Sequence, residues 1–335
     1  MAEPRWQSFG RFSGPWIGGT TIIPPPSSLL TADRQHWLTT RVETGATFGT
    51  VVMFDGTTVT AAPDQFILTY PAELANEDFN AADDQGLLGK LLARLFALPD
   101  PGIQPAANAL KTAFAAAGWY LSPLGELRYL TDHSVALVGR KIQVKAGDLV
   151  HGAVLRDTIT PVGGAVPQTG PAWEQSAQWC RLFAALFSSS AGFAVQDAYG
   201  RERLLKMYKA PRKQTLAPCV ELAVFGKDLS SVRVTECGPA LDLAMAVWYS
   251  NSVNAPAIAL TCLQQAIVGG AHRPDFPARL LRALGSSNFG RWNAKDPNGR
   301  YQRTRRLAIA SSLWPPSLFE GPSAIMPVRL EGAVA

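Results

Sequence analysis

The spacing of hydrophobic and polar positions changes several times along this chain, and each change marks an element. Leu30, Trp37, Leu38 and Val42 form an apolar helical face between Ser28 and Val42. Pro24–Pro26 stop that helix extending backward, Ser28 or Thr31 caps its start, and Gly45 follows as its left-handed end. After Gly49 the pattern turns β-like. Thr50 to Phe54 is branched and apolar, Asp55-Gly56 is a short hairpin signal, and Thr57 to Thr60 is the returning strand. The run GLLGKLLARLFAL, Gly86 to Leu98, predicts an amphipathic helix ended by Pro99-Asp100-Pro101, and Pro105 to Ala117 predicts another closing at Gly118.

Beyond Gly118 the period shortens. Trp119–Leu121 and Leu127–Leu130 flank the turn Pro123-Leu124-Gly125, while Lys141 to Lys145 alternates strictly and Gly147-Asp148 turns the chain again, which predicts two small hairpins. Thr160 to Pro171 is a turn-rich loop, and its Gly163-Gly164 lacks the flanking strand and helix of a phosphate loop. Helical spacing returns at Trp173–Phe187, Pro239–Tyr249, Pro256–Val268, Pro277–Leu284 and Arg303–Leu313. PALDLAMAVWY is apolar almost all round and reads as a buried central helix. The elements amount to an α+β chain, predominantly α-helical, with a small antiparallel sheet and inserted hairpins. Residues 1–26, rich in Gly and Pro with isolated aromatics, read as an extended arm preceding one domain at 27–335. Within that domain we expect an upper lobe at 27–118, a hairpin insertion at 119–155 and a helical lobe at 172–335.

Composition excludes several classes. With 335 residues and 47% hydrophobic content, the chain supports a sizeable core and is neither disordered nor fibrous. Its four cysteines, Cys180, Cys219, Cys237 and Cys262, lie 39, 18 and 25 residues apart and fit no C-x-x-C pattern, so buried thiols are expected and no metal site is assigned. The four histidines are isolated, and no G-x-S-x-G or P-loop occurs. No cofactor is expected. The N-terminus lacks the apolar core of a secretory signal, so delivery to a cell wall would need a particle, lysis or injection route. No run approaches the roughly 18 apolar residues of a membrane span. Net charge is +5, with basic clusters at Arg201–Lys213 and Arg300–Arg306 read as solvated helix faces. A nucleic-acid partner is disfavoured, since the Arg300–Arg306 cluster has a tyrosine but no aromatic interleaving to make a stacking platform.

The chemistry concentrates between Arg41 and Gln65. Glu43 falls in the last turn of its helix, where the dipole disfavours a carboxylate and raises its pKa. A glutamate kept protonated near neutral pH suits a general acid for glycosidic cleavage. The hairpin would bring Asp55 and Thr60 back toward it, Asp55 ionised and Thr60 helping to hold a water. The same residues also read as a solvated helix-end carboxylate, a turn aspartate and a strand threonine.

In this order, Glu43, Asp55-Gly56 and Thr60 resemble the lysozyme superfamily, most nearly phage-type lysozymes and chitosanases. The resemblance rests on about 25 of the 335 residues. It implies a lysozyme-like two-lobed fold and a muramidase that cleaves peptidoglycan or a related β-1,4-linked aminosugar polymer. Glu43, Asp55 and Thr60 would be catalytic, and Gln65, Trp248, Tyr249, Asn251 and Asn254 would bind sugar. Ala61-Ala62 stand where that family pattern has glycine. This motivates a second expectation, a catalytically weak or inactive relative that binds the wall as part of a phage particle or injection apparatus, with that assembly's proteins as partners.

Overall fold

The computed structural model describes residues 2–19, 21–22, 47–61, 66–68, 87–137, 140–209 and 282–283. The chain divides into two compact units, Met1–Ile22 with Thr47–Tyr199, and Ile23–Ala46 with Gly200–Ala335. The helix expected at Ser28–Val42 and those expected beyond Pro239 lie outside the described residues, except that Arg282 and Ala283 are helical.

In the first unit, β1 (Arg5–Phe9) and β2 (Phe12–Ile17) form an antiparallel hairpin, and β3 (Thr21–Ile22) pairs with β4 (Thr47–Phe48). β5 (Val51–Val52), β6 (Val59–Ala61) and β7 (Phe66–Leu68) extend the hairpin into a five-stranded antiparallel sheet of order β1-β2-β5-β6-β7. Residues 5–17 are therefore part of the sheet and not a separate arm. Side chains tie them down: the Trp6 indole and the Ser13 hydroxyl both donate to the Val166 carbonyl, at 2.9 and 2.7 Å. Aromatic residues that look isolated in sequence are thus cross-strand neighbours, Phe9 facing Phe12 and Arg5 facing Trp16.

α1 (Leu88–Phe96) and α2 (Gln104–Ala116) follow. α1 buries Leu88, Leu91, Leu92 and Leu95, the face that its periodicity predicts, and α2 ends at Gly118, whose φ is +82°. β8 (Trp119–Leu121) pairs with β9 (Leu127–Tyr129), the hairpin expected around Pro123-Leu124-Gly125. β11 (Arg140–Val144) covers most of the strand expected at Lys141–Lys145, but it pairs with the preceding β10 (His133–Leu137) and not across the turn at Gly147-Asp148. The first hairpin docks on α1 at a glycine pair. A Cβ on Gly89 would overlap the carbonyl oxygen of Gly125, so the helix and the turn approach as closely as bare backbones allow.

α3 (Gly152–Ile159), α4 (Pro171–Phe187) and α5 (Ser190–Lys209) complete the described elements. Hydrophobic periodicity does not pick out α5, although its basic end reads as a helix face. Its start is set locally: Ser189 accepts from Gly192 N on its hydroxyl and from Phe193 N on its carbonyl, both at 2.9 Å. The core is one continuous cluster in which Phe114, Trp179, Phe183 and Phe187 stack along α2 and α4 against α1 and the sheet.

Candidate functional site

The connection between β5 and β6 carries Asp55, and β6 itself carries Thr60, the two described members of the predicted catalytic set. A two-residue Asp55-Gly56 turn would place Val52 opposite Val59. The observed register places Val52 opposite Thr60 and Val51 opposite Ala61, one residue out of step. The residues flanking the turn bond to the outer strands. Met53 N donates to Pro15 O of β2 at 3.1 Å, whereas Thr58 N donates to Leu68 O of β7, also at 3.1 Å. Between them the loop carries Gly56 at φ +93°.

Asp55 organises that loop. Its Oδ1 accepts from the Thr57 hydroxyl at 2.8 Å and from Thr57 N at 3.3 Å, an Asx turn of the aspartate on its own chain. The Thr57 hydroxyl also lies 2.7 Å from the Thr60 hydroxyl, so Asp55, Thr57 and Thr60 form one short hydrogen-bonded chain. Thr60 is buried. Asp55 is half-buried, and the loss of hydration at its carboxyl pushes its pKa up. Hydrogen bonds from the Thr57 and Thr60 side chains and the Thr57 backbone pull the other way without cancelling it. The environment thus favours a protonated carboxyl more than an ordinary aspartate's, opposite in direction to the ionised role expected of Asp55.

No protein-family model matches the chain, and comparison with curated proteins and with solved structures finds no match either.

The remaining predicted site residues, Glu43, Gln65, Trp248, Tyr249, Asn251 and Asn254, lie outside the described residues. Thr57, which joins Asp55 to Thr60, is absent from the predicted set. Its signal was present as Asp-x-Thr, the spacing at which an aspartate bonds the backbone two residues on. Ser176 of α4 reaches the other end of the loop, its hydroxyl 3.8 Å from the Met53 sulfur. A cavity of about 210 Å³ lies elsewhere, lined by Ile17, Gly18, Arg181, Ala184 and Ser188 among others. It falls below the ~300–1,000 Å³ usual for ligand pockets, and Asp55 is not in its wall. Cys180 is fully buried in α4, where desolvation raises its thiol pKa to about 12 and makes it a core residue with little thiolate character. Among the described residues no group of three or more His, Cys, Asp or Glu side chains gathers as a metal site, and no helix is long and apolar enough to cross a membrane.

Proposed function

We propose that this chain is a non-hydrolytic, cell-wall-binding component of a particle or injection apparatus, related in its motif to lysozymes but lacking their turnover. The direction toward aminosugar polymers comes from the order of Glu43, Asp55-Gly56 and Thr60. The absence of chemistry is carried by one observation, the commitment of the Asp55 carboxyl to Thr57 within its own turn. In a muramidase of this pattern the second carboxylate must be ionised and open to a water or to the oxocarbenium-like transition state. An aspartate whose oxygen caps its own turn, and whose partial burial raises its pKa, is poorly suited to either task.

The test is co-sedimentation with insoluble purified peptidoglycan, run beside an assay for newly released reducing ends. The expected result is saturable wall binding without release of sugar, unchanged in Glu43→Gln. Release of reducing ends that disappears in a folded Glu43→Gln variant would overturn the proposal and establish a muramidase with Glu43 as its acid. Release of anhydro ends lost in the same variant would equally overturn it, in favour of a lytic transglycosylase. Failure to bind the wall at all would remove the aminosugar reading itself.

A further inference from the structure

β1 lies at one end of the five-stranded sheet, and all five of its residues, Arg5 to Phe9, are exposed. Among the described strands nothing pairs with its outer side. Two large apolar residues sit there, Trp6 at 36% and Phe9 at 42% exposure. An open edge of this kind is a template for another strand.

The hairpin register determines which groups the edge offers. The Gly10-Arg11 turn joins Phe9 to Phe12, so the pairs Phe9–Phe12, Gln7–Gly14 and Arg5–Trp16 exchange the inward hydrogen bonds. Trp6 and Ser8 alternate with them and direct their N–H and C=O groups off the edge. Pro4, just before the strand, has no N–H to give.

We propose that β1 pairs with β1 of a second copy of this chain, antiparallel and two-fold symmetric about Gln7. In that register Trp6 faces Ser8 of the second copy and Ser8 faces its Trp6, so every outward N–H and C=O of both residues is satisfied and none falls opposite Pro4. A shift of two residues either way loses part of this set, because Ser8 then meets Pro4 or Trp6 meets the turn at Gly10. The side chains agree with the hydrogen bonds. Arg5 of each copy falls opposite Phe9 of the other, placing a cation against an aromatic ring, as Arg5 already does with Trp16 at 5.7 Å within the hairpin. The two Arg5 residues are four positions apart along the strand, about 14 Å at ~3.4 Å per residue and so beyond the ~10 Å screening length at 0.1 M salt. No like charges stand directly opposite, and the symmetry closes the assembly at two copies. A five-residue pairing alone is smaller than a standard interface of about 1,600 Å², so the dimer is a concentration-dependent one. The pairing is independent of the role of Asp55.

Only this register puts the two Gln7 residues face to face in a pair that exchanges no hydrogen bonds, where side chains approach most closely. Gln7→Cys in the full chain should therefore form a covalent dimer under mild oxidation, with mass mapping placing the new disulfide between the two peptides that carry the substitution. Ser8→Cys has no symmetric partner and should give only the background of wild type. Gln7→Lys sets two ammonium groups opposite each other and should weaken self-association several-fold by sedimentation velocity, with unchanged circular dichroism. A wild type that stays monomeric up to its solubility limit, with no crosslink above background in the Gln7→Cys variant, would overturn the proposal. So would equal crosslinking at positions 7 and 8, which would mean random collision. Capture of an extended acidic peptide on β1 in place of self-association would overturn it in favour of a foreign strand.

Discussion

At the scale of single residues, Asp55 shows how a turn commits a carboxylate to its own backbone. Asp-Gly-Thr is a turn sequence before it is anything else, and Asp55 bonds Thr57 as such a turn requires. Burial then sets the sign of its proton affinity. Because its folded pKa is raised above the ordinary 3.8, the folded state binds more protons than the unfolded state in the interval between the two values. Asp55 therefore costs stability as pH rises through that interval, and this cost is absent below it. Asp55→Asn keeps an oxygen acceptor for Thr57 and has no proton to lose. Denaturant titrations from pH 4 upward should show wild type losing stability relative to Asp55→Asn, with the difference levelling off above the folded pKa of Asp55. A constant difference across the range would mean that the carboxyl is hydrated in the folded protein.

At the scale of elements, legibility followed periodicity. α1, α2 and α4, together with the β8–β9 hairpin and the strand at Lys141, are evident in the sequence because each satisfies a local rule. Leucines recur on one face of α1, a glycine closes α2, and Gly125 and Gly147 take left-handed turns at φ +85° and +88°. α5 was obscured because Gly192 and Gly200 interrupt it and a serine run precedes it. The β5–β6 hairpin was legible as a turn at Asp55-Gly56, while its register, Val52 opposite Thr60, was not. The docking of α1 on the β8–β9 hairpin gives a prediction at this scale. Gly89→Ala gains helix propensity worth up to about 1 kcal/mol, yet its methyl group would collide with the Gly125 carbonyl, which is backbone and cannot rotate away. The expected outcome is net destabilisation by roughly 1–3 kcal/mol, in the range for overpacking, measured by urea unfolding. A stabilised variant would mean that the helix and hairpin are not in contact.

At the scale of the whole molecule, the first unit is held by one apolar cluster that joins the sheet, α1, α2 and α4. Phe183 occupies its middle, fully buried and 6.3 Å ring to ring from both Trp179 and Phe187. Phe183→Ala should cost about 3–5 kcal/mol, the usual range for removing a buried aromatic. It should also lower protection of strand and helix amides together in hydrogen exchange, because they share that cluster. Loss of protection in α4 alone would divide the unit into independently stable parts.

Several features were determined by the sequence alone: the identities and limits of the strongly periodic elements, the burial of Cys180 among apolar neighbours, and the turn chemistry of Asp55-Gly56. Each depends on residues close in the chain, whose spacing and side-chain chemistry act before any distant contact forms. Tertiary structure decided the membership of residues 5–17 in the sheet, the register at Thr60, the partial burial of Asp55 and the open edge of β1. These depend on which strand or helix lies alongside. A neighbour more than a hundred residues away, such as Val166 under Trp6 or Ser176 beside Met53, leaves no mark in local spacing.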